Sequence, residues 1–167
     1  MAIRPPGAQD AAAIWSLVEG TGSLDLNSPY AYLLLCTDFA GSGAVAEAAG
    51  EIVGFVLGYR PPARPDVYFV WQVAVRDTHR GRGLAPALIG HVLERTLPEG
   101  VAYLEATVTP SNAASRALFK GIARRAGVGW IEHSAFPSQL FPGEAHEEEV
   151  RIRIGPLDST SLLARPS

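Results

Sequence analysis

Hydrophobic residues follow two spacings along the chain, and these predict alternating strands and helices. Apolar positions at helical spacing predict four helices, which begin near Ala11, Pro29, Arg80 and Asn112 and end near Gly20, Phe39, Thr96 and Arg125. Short apolar runs bounded by turn residues predict strands over residues 2–4, 44–48, 51–59, 67–75, 101–108, 130–136 and 147–154. The order predicts an α/β fold in which the helix after residue 80 joins two parallel strands.

The stretch 71–91 combines the end of a strand, a charged glycine turn and the start of a helix. Within it, residues 80–85 read Arg-Gly-Arg-Gly-Leu-Ala. Two glycines let a ligand approach the backbone, and the free N–H groups of the helix start act together with its dipole and two guanidiniums to favour an anion. Phosphate is the anion that this pattern indicates, although a tight turn with solvated arginines would use the same residues.

The order Arg80-x-x-Gly83-x-Ala85 after a Val-x-Val strand resembles the pyrophosphate-binding signature of the GNAT superfamily of N-acetyltransferases. The order of predicted elements is also that of this family, so the resemblance covers nearly the whole chain. It implies a mixed central sheet of about six or seven strands flanked by about four helices, with acetyl-CoA as co-substrate. The expected acetyl-CoA contacts are Val73, Val75, Arg80, Gly81, Arg82, Gly83, Leu84, Ala85, Asn112 and Ser115.

A dinucleotide site is an alternative use of the same glycines. Glu105 lies roughly where the ribose-binding acid of that motif would be, but Pro86 occupies the place of the third glycine. We therefore favour the acetyltransferase interpretation.

The segment Asn112-Ala113-Ala114-Ser115-Arg116-Ala117-Leu118-Phe119 is similar to the family's asparagine-led helix beside the pantetheine arm. The resemblance makes Asn112 a hydrogen-bonding partner of that arm, whereas local chemistry alone favours a helix cap. The family usually has a tyrosine where Phe119 stands, and that tyrosine donates a proton to the departing thiolate. Phe119 has no proton to give, so the identity of the acid stays open.

Four further strings resemble the diaminobutyrate acetyltransferases of ectoine biosynthesis: residues 24–32, 69–73 and 105–112, and His146-Glu147-x-Glu149. This resemblance implies transfer of an acetyl group from acetyl-CoA to the γ-amine of L-2,4-diaminobutyrate, which gives N4-acetyl-L-2,4-diaminobutyrate. It also implies a homodimer.

A diamino acid carries two ammoniums, so acidic side chains and an aromatic face should surround it. Asp25, Trp71 and Glu147 meet this need within the family-like strings. The backbone N–H of Val73 is expected to stabilise the oxyanion, Glu147 to act as a base or to position a water relay, and His146 to act as a relay. Purely structural roles are the alternatives: a turn residue at position 25, a core tryptophan at position 71 and a solvated acidic run around position 147. Strand alternation does not decide in which direction Glu147 points.

Composition restricts the remaining function classes. The 167 residues carry a net charge of −3, which gives no general affinity for nucleic acid, and the apolar runs are far too short to cross a membrane. Cys36 is the only cysteine and fits the core of a cytoplasmic protein. We expect one domain over residues 1–157 and an accessory or disordered tail over residues 158–167. His79, His91, His133 and His146 are scattered, so no metal site is expected.

Two rival functions remain open at this point. The same fold could acetylate another small amine, such as a polyamine or an aminoglycoside. A non-catalytic acyl-CoA sensor would bind coenzyme A without releasing a thiol, and the missing tyrosine at Phe119 is the one feature that favours it.

Overall fold

A seven-stranded sheet forms the centre of the computed structural model, which describes residues 1–22, 24–142 and 146–160. The strands are β1 (Ala2–Arg4), β2 (Ala44–Ala48), β3 (Glu51–Tyr59), β4 (Val67–Val75), β5 (Tyr103–Val108), β6 (Trp130–Phe136) and β7 (Glu149–Ile154). The α-helices of this described part are α1 (Ala11–Thr21), α2 (Pro29–Thr37), α3 (Leu84–Thr96) and α4 (Ala113–Ala126). The strand order is β1-β2-β3-β4-β5-β7-β6, which confirms the predicted fold class.

The helices cover the two faces of the sheet in pairs. Helices α1 and α2 pack on one face, where Tyr32 and Cys36 are buried beside Phe55 of β3. Helices α3 and α4 pack on the other face and bury Leu88 and Phe119. The predicted core position of Cys36 is therefore confirmed. None of the described helices is long and apolar enough to span a membrane.

Several predicted strand limits agree with the structure, namely 44–48, 51–59, 67–75 and 130–136. Others were wrong: α2 ends at Thr37 rather than Phe39, α3 begins at Leu84 rather than Arg80, β5 begins at Tyr103 rather than Val101, and β7 begins at Glu149 rather than Glu147. The late start of α3 has a clear cause, because Gly81 and Gly83 adopt φ values of +74° and +73°, outside the helical region. The expected tail over residues 158–167 lies largely outside the described residues, which end at 160.

Strands β4 and β5 are the one parallel pair of the sheet in its described residues, and their pairing stops early. It runs from Val67 opposite Tyr103 to Val70 opposite Ala106. Both strands continue beyond this point, β4 to Val75 and β5 to Val108. A gap therefore opens between their carboxyl ends, where an open α/β sheet commonly holds its ligand.

A β-bulge in β4 lies where this gap begins. On the β3 side, Leu57 pairs with Gln72 while Gly58 pairs with Val70, so Trp71 is an extra residue in β4. A bulge bends its strand and increases the local twist, which turns β4 away from β5. Glycine is required at position 58, because a Cβ there would lie 2.3 Å from a backbone oxygen of β4.

Glu105 of β5 is held inside the protein by arginines from separate segments. It is 1% exposed, and its carboxylate lies 2.5 Å from Arg64, 2.8 Å from Arg151 and 3.3 Å from Arg153. Burial alone would raise its pKa, but hydrogen bonds from Arg64 and Arg151 outweigh burial and lower the pKa. Glu105 therefore stays ionised and joins β5, β7 and the β3–β4 loop, so the alternative of a ribose-binding acid was wrong.

We predict that Glu105→Gln lowers the free energy of unfolding by about 3 kcal/mol at pH 7, because it leaves three partly buried guanidiniums without their counter-charge. The lowered pKa of Glu105 makes its contribution complete above the ordinary carboxyl pKa, and the contribution is lost as the pH falls through the folded-state value. Urea unfolding should therefore give a smaller difference in free energy of unfolding between the wild type and Glu105→Gln at pH 3 than at pH 7.

The matched control is Glu99→Gln, which removes an exposed partner of Arg60. Its effect should stay below about 1 kcal/mol. Equal stability losses in the two variants would show that the buried cluster has no special role.

Candidate functional site

A cleft of about 300 Å³ lies in the gap between β4 and β5. Residues 70–73 of β4 form one wall, and residues 106–108 of β5 with Thr109 just after it form the other. The loop before α2, the first turns of α4 and the segment around the start of β7 complete it. The cleft therefore draws on both faces of the sheet, as an opening between two strands must.

Many of the residues that the sequence singled out meet in this cleft. Those lining it are Asp25, Trp71, Val73, Asn112, Ser115 and His146. The Trp71 ring packs at a tilt against Tyr32, with 5.7 Å between the ring centroids. The Asn112 side chain accepts a hydrogen bond from Ser115 N at 3.0 Å, so it caps α4 while it also faces the cleft.

The turn from residue 80 to residue 85 lies at the start of α3, separated from β4 by a short 3-10 turn over residues 77–79, and is not part of the cleft wall. Arg80 bends back over this turn, where Nε donates to Val75 O at 3.1 Å and Nη2 lies 2.9 Å from Asp77. These contacts join the turn to the end of β4. The β4 wall of the cleft and the glycine turn are therefore joined by a short connection that Arg80 braces.

The first turn of α3 presents backbone donors that the helix itself does not use. The first backbone hydrogen bond of the helix runs from Ala87 N to Gly83 O at 3.1 Å. The N–H groups of Leu84 and Ala85 precede that bond, and Pro86 has none. Together with the left-handed glycines before them, these amides form an end that can accept an anionic group.

Glu147 and Glu149 point in different directions, which sequence alternation did not reveal. Glu147 is exposed, is bonded by Ser111 through both its N–H and its hydroxyl, and does not line the cleft. Glu149 does line the cleft. Glu147 precedes β7, so strand alternation does not apply to it. The string His146-Glu147-x-Glu149 contained the signal, but it did not say which acid faces inward.

Glu149 is the acid of the cleft with the most unusual environment. It is half-buried, and its Oε2 has no hydrogen-bond partner among the described residues. Burial raises its pKa, although a hydrogen bond from Thr107 and the proximity of His146 act in the opposite direction. A carboxylate that is desolvated and incompletely bonded is a good proton acceptor.

His146 and Asp25 meet at the mouth of the cleft. The His146 ring stacks on Phe141 at 3.8 Å, and its Nδ1–H donates to Glu147 O at 2.6 Å. Its Nε2 lies 3.6 Å from the Asp25 carboxylate, which is 85% exposed. The hydrogen bond to the backbone carbonyl and the contact with Asp25 raise the pKa of His146, so its charged form is favoured.

The described residues of the cleft include no lysine or arginine. Its ionisable groups are Asp25, His146 and Glu149, a set that suits a cationic ligand. Among the described residues, no three or more histidine, cysteine, aspartate or glutamate side chains form a group that could hold a metal ion. Phe119 also lines the cleft and brings no hydroxyl to it.

The arrangement can bring an amine and an electrophile together between two strands. An anionic group would lie on the glycine turn, the chain attached to it would follow β4 past Val73, and a cation would be held by Asp25 and Glu149. Glu149 is placed to accept a proton within the same cleft.

Comparison with known protein families and structures agrees with this geometry. The model of the acetyltransferase (GNAT) family matches residues 11–122. The L-2,4-diaminobutyric acid acetyltransferase of Nocardia farcinica is 48% identical over 155 residues, which cover 93% of this chain and 80% of that protein. The enzyme of the same name from Bordetella parapertussis is 50% identical over 155 residues, which cover 92% and 83%.

Solved structures give the same result at the level of the fold. A diaminobutyrate acetyltransferase from Paenibacillus lautus, in complex with its substrate L-2,4-diaminobutyric acid and coenzyme A, has a TM-score of 0.88 and 42% identity, covering 93% of this chain and 94% of that one. A ribosomal-protein-alanine N-acetyltransferase from Brucella melitensis has a TM-score of 0.70 at 19% identity, covering 93% and 99%. The second likeness concerns the fold alone.

We predict that Gly83→Ala weakens coenzyme A binding about tenfold, because alanine at φ +73° costs roughly 1 kcal/mol and the turn relaxes away from its anion-binding shape. Gly90→Ala is the matched control within α3, where a Cβ meets nothing within 4 Å and the helical backbone is compatible with alanine. Titration calorimetry with coenzyme A should give an unchanged affinity for Gly90→Ala. An unchanged affinity for Gly83→Ala as well would exclude the turn as the anion site.

Proposed function

The chain belongs to the diaminobutyrate acetyltransferases of the GNAT family, and we propose on this basis that it transfers an acetyl group from acetyl-CoA to the γ-amine of L-2,4-diaminobutyrate. The product is N4-acetyl-L-2,4-diaminobutyrate, the precursor of ectoine. The observation that carries the proposal is the acidic cleft between β4 and β5, directly beyond which lies an anion-binding helix start.

Acetyl-CoA lies along β4 in this proposal. Its pyrophosphate accepts hydrogen bonds from the amides of the 80–85 turn, and its pantetheine arm passes between β4 and Asn112. The thioester then stands beside Trp71 and Val73, where the Val73 N–H stabilises the oxyanion of the tetrahedral intermediate. The early end of the β4–β5 pairing supports this path, since it leaves room for the arm between the strands.

The attacking amine must first lose a proton, because an alkyl ammonium has a pKa of roughly 10. We assign the proton acceptor to Glu149 rather than to Glu147, since Glu149 lines the cleft and its pKa is raised by burial. Glu149 takes the proton directly or through one water. The free amine then forms the N–C bond to the thioester carbon, the C–S bond breaks as coenzyme A leaves as a thiolate, and the second proton of the nitrogen passes to that thiolate or to water.

The thiolate leaves without a tyrosine to protonate it. A thiol has a pKa of roughly 8.5, so a thiolate is a much better leaving group than an alkoxide. Phe119 at this position is therefore compatible with catalysis, and the rate depends mainly on holding both reactants in one orientation.

The other amine of the substrate determines its orientation. Asp25 at the rim offers a carboxylate to an ammonium, and the face of Trp71 offers a cation–π contact. His146 lies 3.6 Å from the Asp25 carboxylate and adds a partner of opposite charge when its ring is protonated. This division of roles places one amine near Asp25 and the other near Glu149.

Thiol release from acetyl-CoA tests the function directly, with L-2,4-diaminobutyrate compared with ornithine, lysine and spermidine. We expect a strong preference for diaminobutyrate, and mass spectrometry of the product should place the acetyl group on the γ-nitrogen. A preference for another amine would favour the broader acetyltransferase alternative. Binding of coenzyme A without thiol release for any amine would favour a sensor.

Glu149→Gln should lower kcat by about 100-fold or more while coenzyme A binding stays within twofold, because it removes the proton acceptor and preserves the shape. The wild-type rate should rise with pH through an apparent pKa above the ordinary carboxyl value, and this limb should vanish in the variant. Glu148→Gln is the control on the same segment, because Glu148 is exposed, accepts a hydrogen bond from the Ser134 hydroxyl and does not line the cleft. A full loss in Glu147→Gln with normal turnover in Glu149→Gln would reverse the assignment.

The raised pKa of Glu149 also predicts how stability depends on pH. Its contribution is most favourable below the ordinary carboxyl pKa of about 4.3, and it is lost as the pH rises through the raised folded-state value. At pH 7 the ionised group therefore destabilises the fold. Glu149→Gln should have a higher Tm than the wild type at pH 7, with a smaller difference at pH 4. A lower Tm at pH 7 would show that Glu149 supports the fold instead.

The chain is also proposed to act as a cytoplasmic homodimer that needs no metal, with residues 1–157 as one domain. Exposed apolar side chains support a contact between subunits, among them Leu33 and Phe39 near α2 and Ile131 and Phe136 on the edge strand β6. Sedimentation velocity should find a species of twice the 17.7 kDa chain mass. A monomer at micromolar concentration would contradict the dimer.

A further inference from the structure

A buried hydrogen-bonded chain connects the core of the protein to the rim of the cleft. The Tyr32 hydroxyl donates to Gln72 Oε1 at 3.0 Å, and Gln72 Nε2 donates to the backbone carbonyl of Asp25 at 2.7 Å. Tyr32 is 0% exposed and Gln72 is 6% exposed. Both polar side chains are therefore desolvated, and their hydrogen bonds are costly to break.

These hydrogen bonds from Tyr32 and Gln72 hold the loop before α2. The loop before α2 has no regular structure over residues 25–28. Trp15 Nε1 donates to Asn27 O at 3.2 Å, and the Asn27 N–H donates to the Tyr32 hydroxyl at 3.5 Å, so Tyr32 also holds this loop directly. The Asp25 carboxylate is contacted by His146 at 3.6 Å. The backbone carbonyl of Asp25 accepts from Asn27 Nδ2 within the loop itself and from Gln72, so Gln72 is the link from the Asp25 backbone to the sheet.

The residues Tyr32 and Gln72 also adjoin Trp71, the other expected substrate contact. The Tyr32 ring packs against Trp71, and Gln72 is the next residue of the bulged strand. The bulge thus sets Trp71 and Gln72 together in the cleft wall. Gln72 also holds the loop that carries Asp25, so this pair links that loop to the strand that carries Trp71.

We infer that Tyr32 and Gln72 are positioning residues for diamino acid recognition, which act by holding Asp25 at the rim of the cleft. The inference rests on the proposed function, because Asp25 is taken to bind the substrate ammonium. Neither residue takes part in proton transfer. Their loss should raise KM for the diamino acid and leave KM for acetyl-CoA and the anion-binding turn unchanged.

A double-mutant cycle separates positioning from direct contact. Gln72→Met keeps the length and burial of the side chain, and Tyr32→Phe keeps the ring against Trp71. With Asp25 intact, each substitution should raise KM for diaminobutyrate about tenfold, roughly the effect of one lost hydrogen bond. In an Asp25→Asn background each should raise KM less than twofold, since the carboxylate that they position is already absent. Full additivity would overturn the inference, because Gln72 would then act on the substrate independently of Asp25.

Tyr68→Phe is the matched control for lost stability. Tyr68 is also fully buried, and its hydroxyl donates to a backbone carbonyl, Ser42 O, at 2.9 Å, on the opposite face of the sheet. It should lower Tm by a similar amount and leave KM for diaminobutyrate unchanged. A rise in KM equal to that of Tyr32→Phe would reduce the effect to general destabilisation and overturn the inference.

Hydrogen exchange of the free protein tests the chain without any substrate. The amides of residues 24–28 should exchange faster in Gln72→Met and Tyr32→Phe, while those of β4 and α3 keep their wild-type rates. Unchanged exchange in the loop would overturn the inference. Faster exchange in a protein that does not acetylate diaminobutyrate would leave the positioning intact and reject the proposed function.

Discussion

The early end of the β4–β5 pairing is the constraint on which the rest of the site depends. Hydrogen bonding between the two parallel strands stops at Val70 and Ala106, although both strands continue. The extra residue Trp71 bends β4 at this point, and a glycine on β3 makes room for the bulge. Without the bend, β4 and β5 would close on each other, and neither a thioester arm nor an amine could lie between them.

Two acidic residues on the same face of the sheet show how neighbours decide the role of a carboxylate. Glu105 is surrounded by arginines, which lower its pKa and make it a structural ion. Glu149 lies on the adjacent strand, and its carboxylate has an oxygen without a hydrogen-bond partner among the described residues and a raised pKa. Glu105 stabilises the fold, whereas Glu149 is available for proton transfer. Catalytic groups are commonly held in environments that reduce the stability of the fold.

Local patterns in the sequence predicted the strands around the site and the glycine turn, whereas the cleft residues Asp25, Trp71 and Asn112 were singled out by the resemblance to the acetyltransferase family. They could not predict the bulge, because it exists only in the pairing of β4 with β3, more than ten residues away. They also could not decide between Glu147 and Glu149, since the start of β7 is set by its partners β5 and β6 rather than by its own residues. Glu105 was ambiguous for the same reason, because its arginines come from separate segments.

A crystal structure with coenzyme A and L-2,4-diaminobutyrate bound together is the most direct test of the site. The sulfur should lie in the gap between β4 and β5 beside the Val73 amide, the γ-nitrogen should lie within direct or one-water reach of Glu149, and the α-amine should lie near Asp25. A coenzyme bound outside this gap, or a γ-nitrogen with no direct or water-mediated path to Glu149, would contradict it.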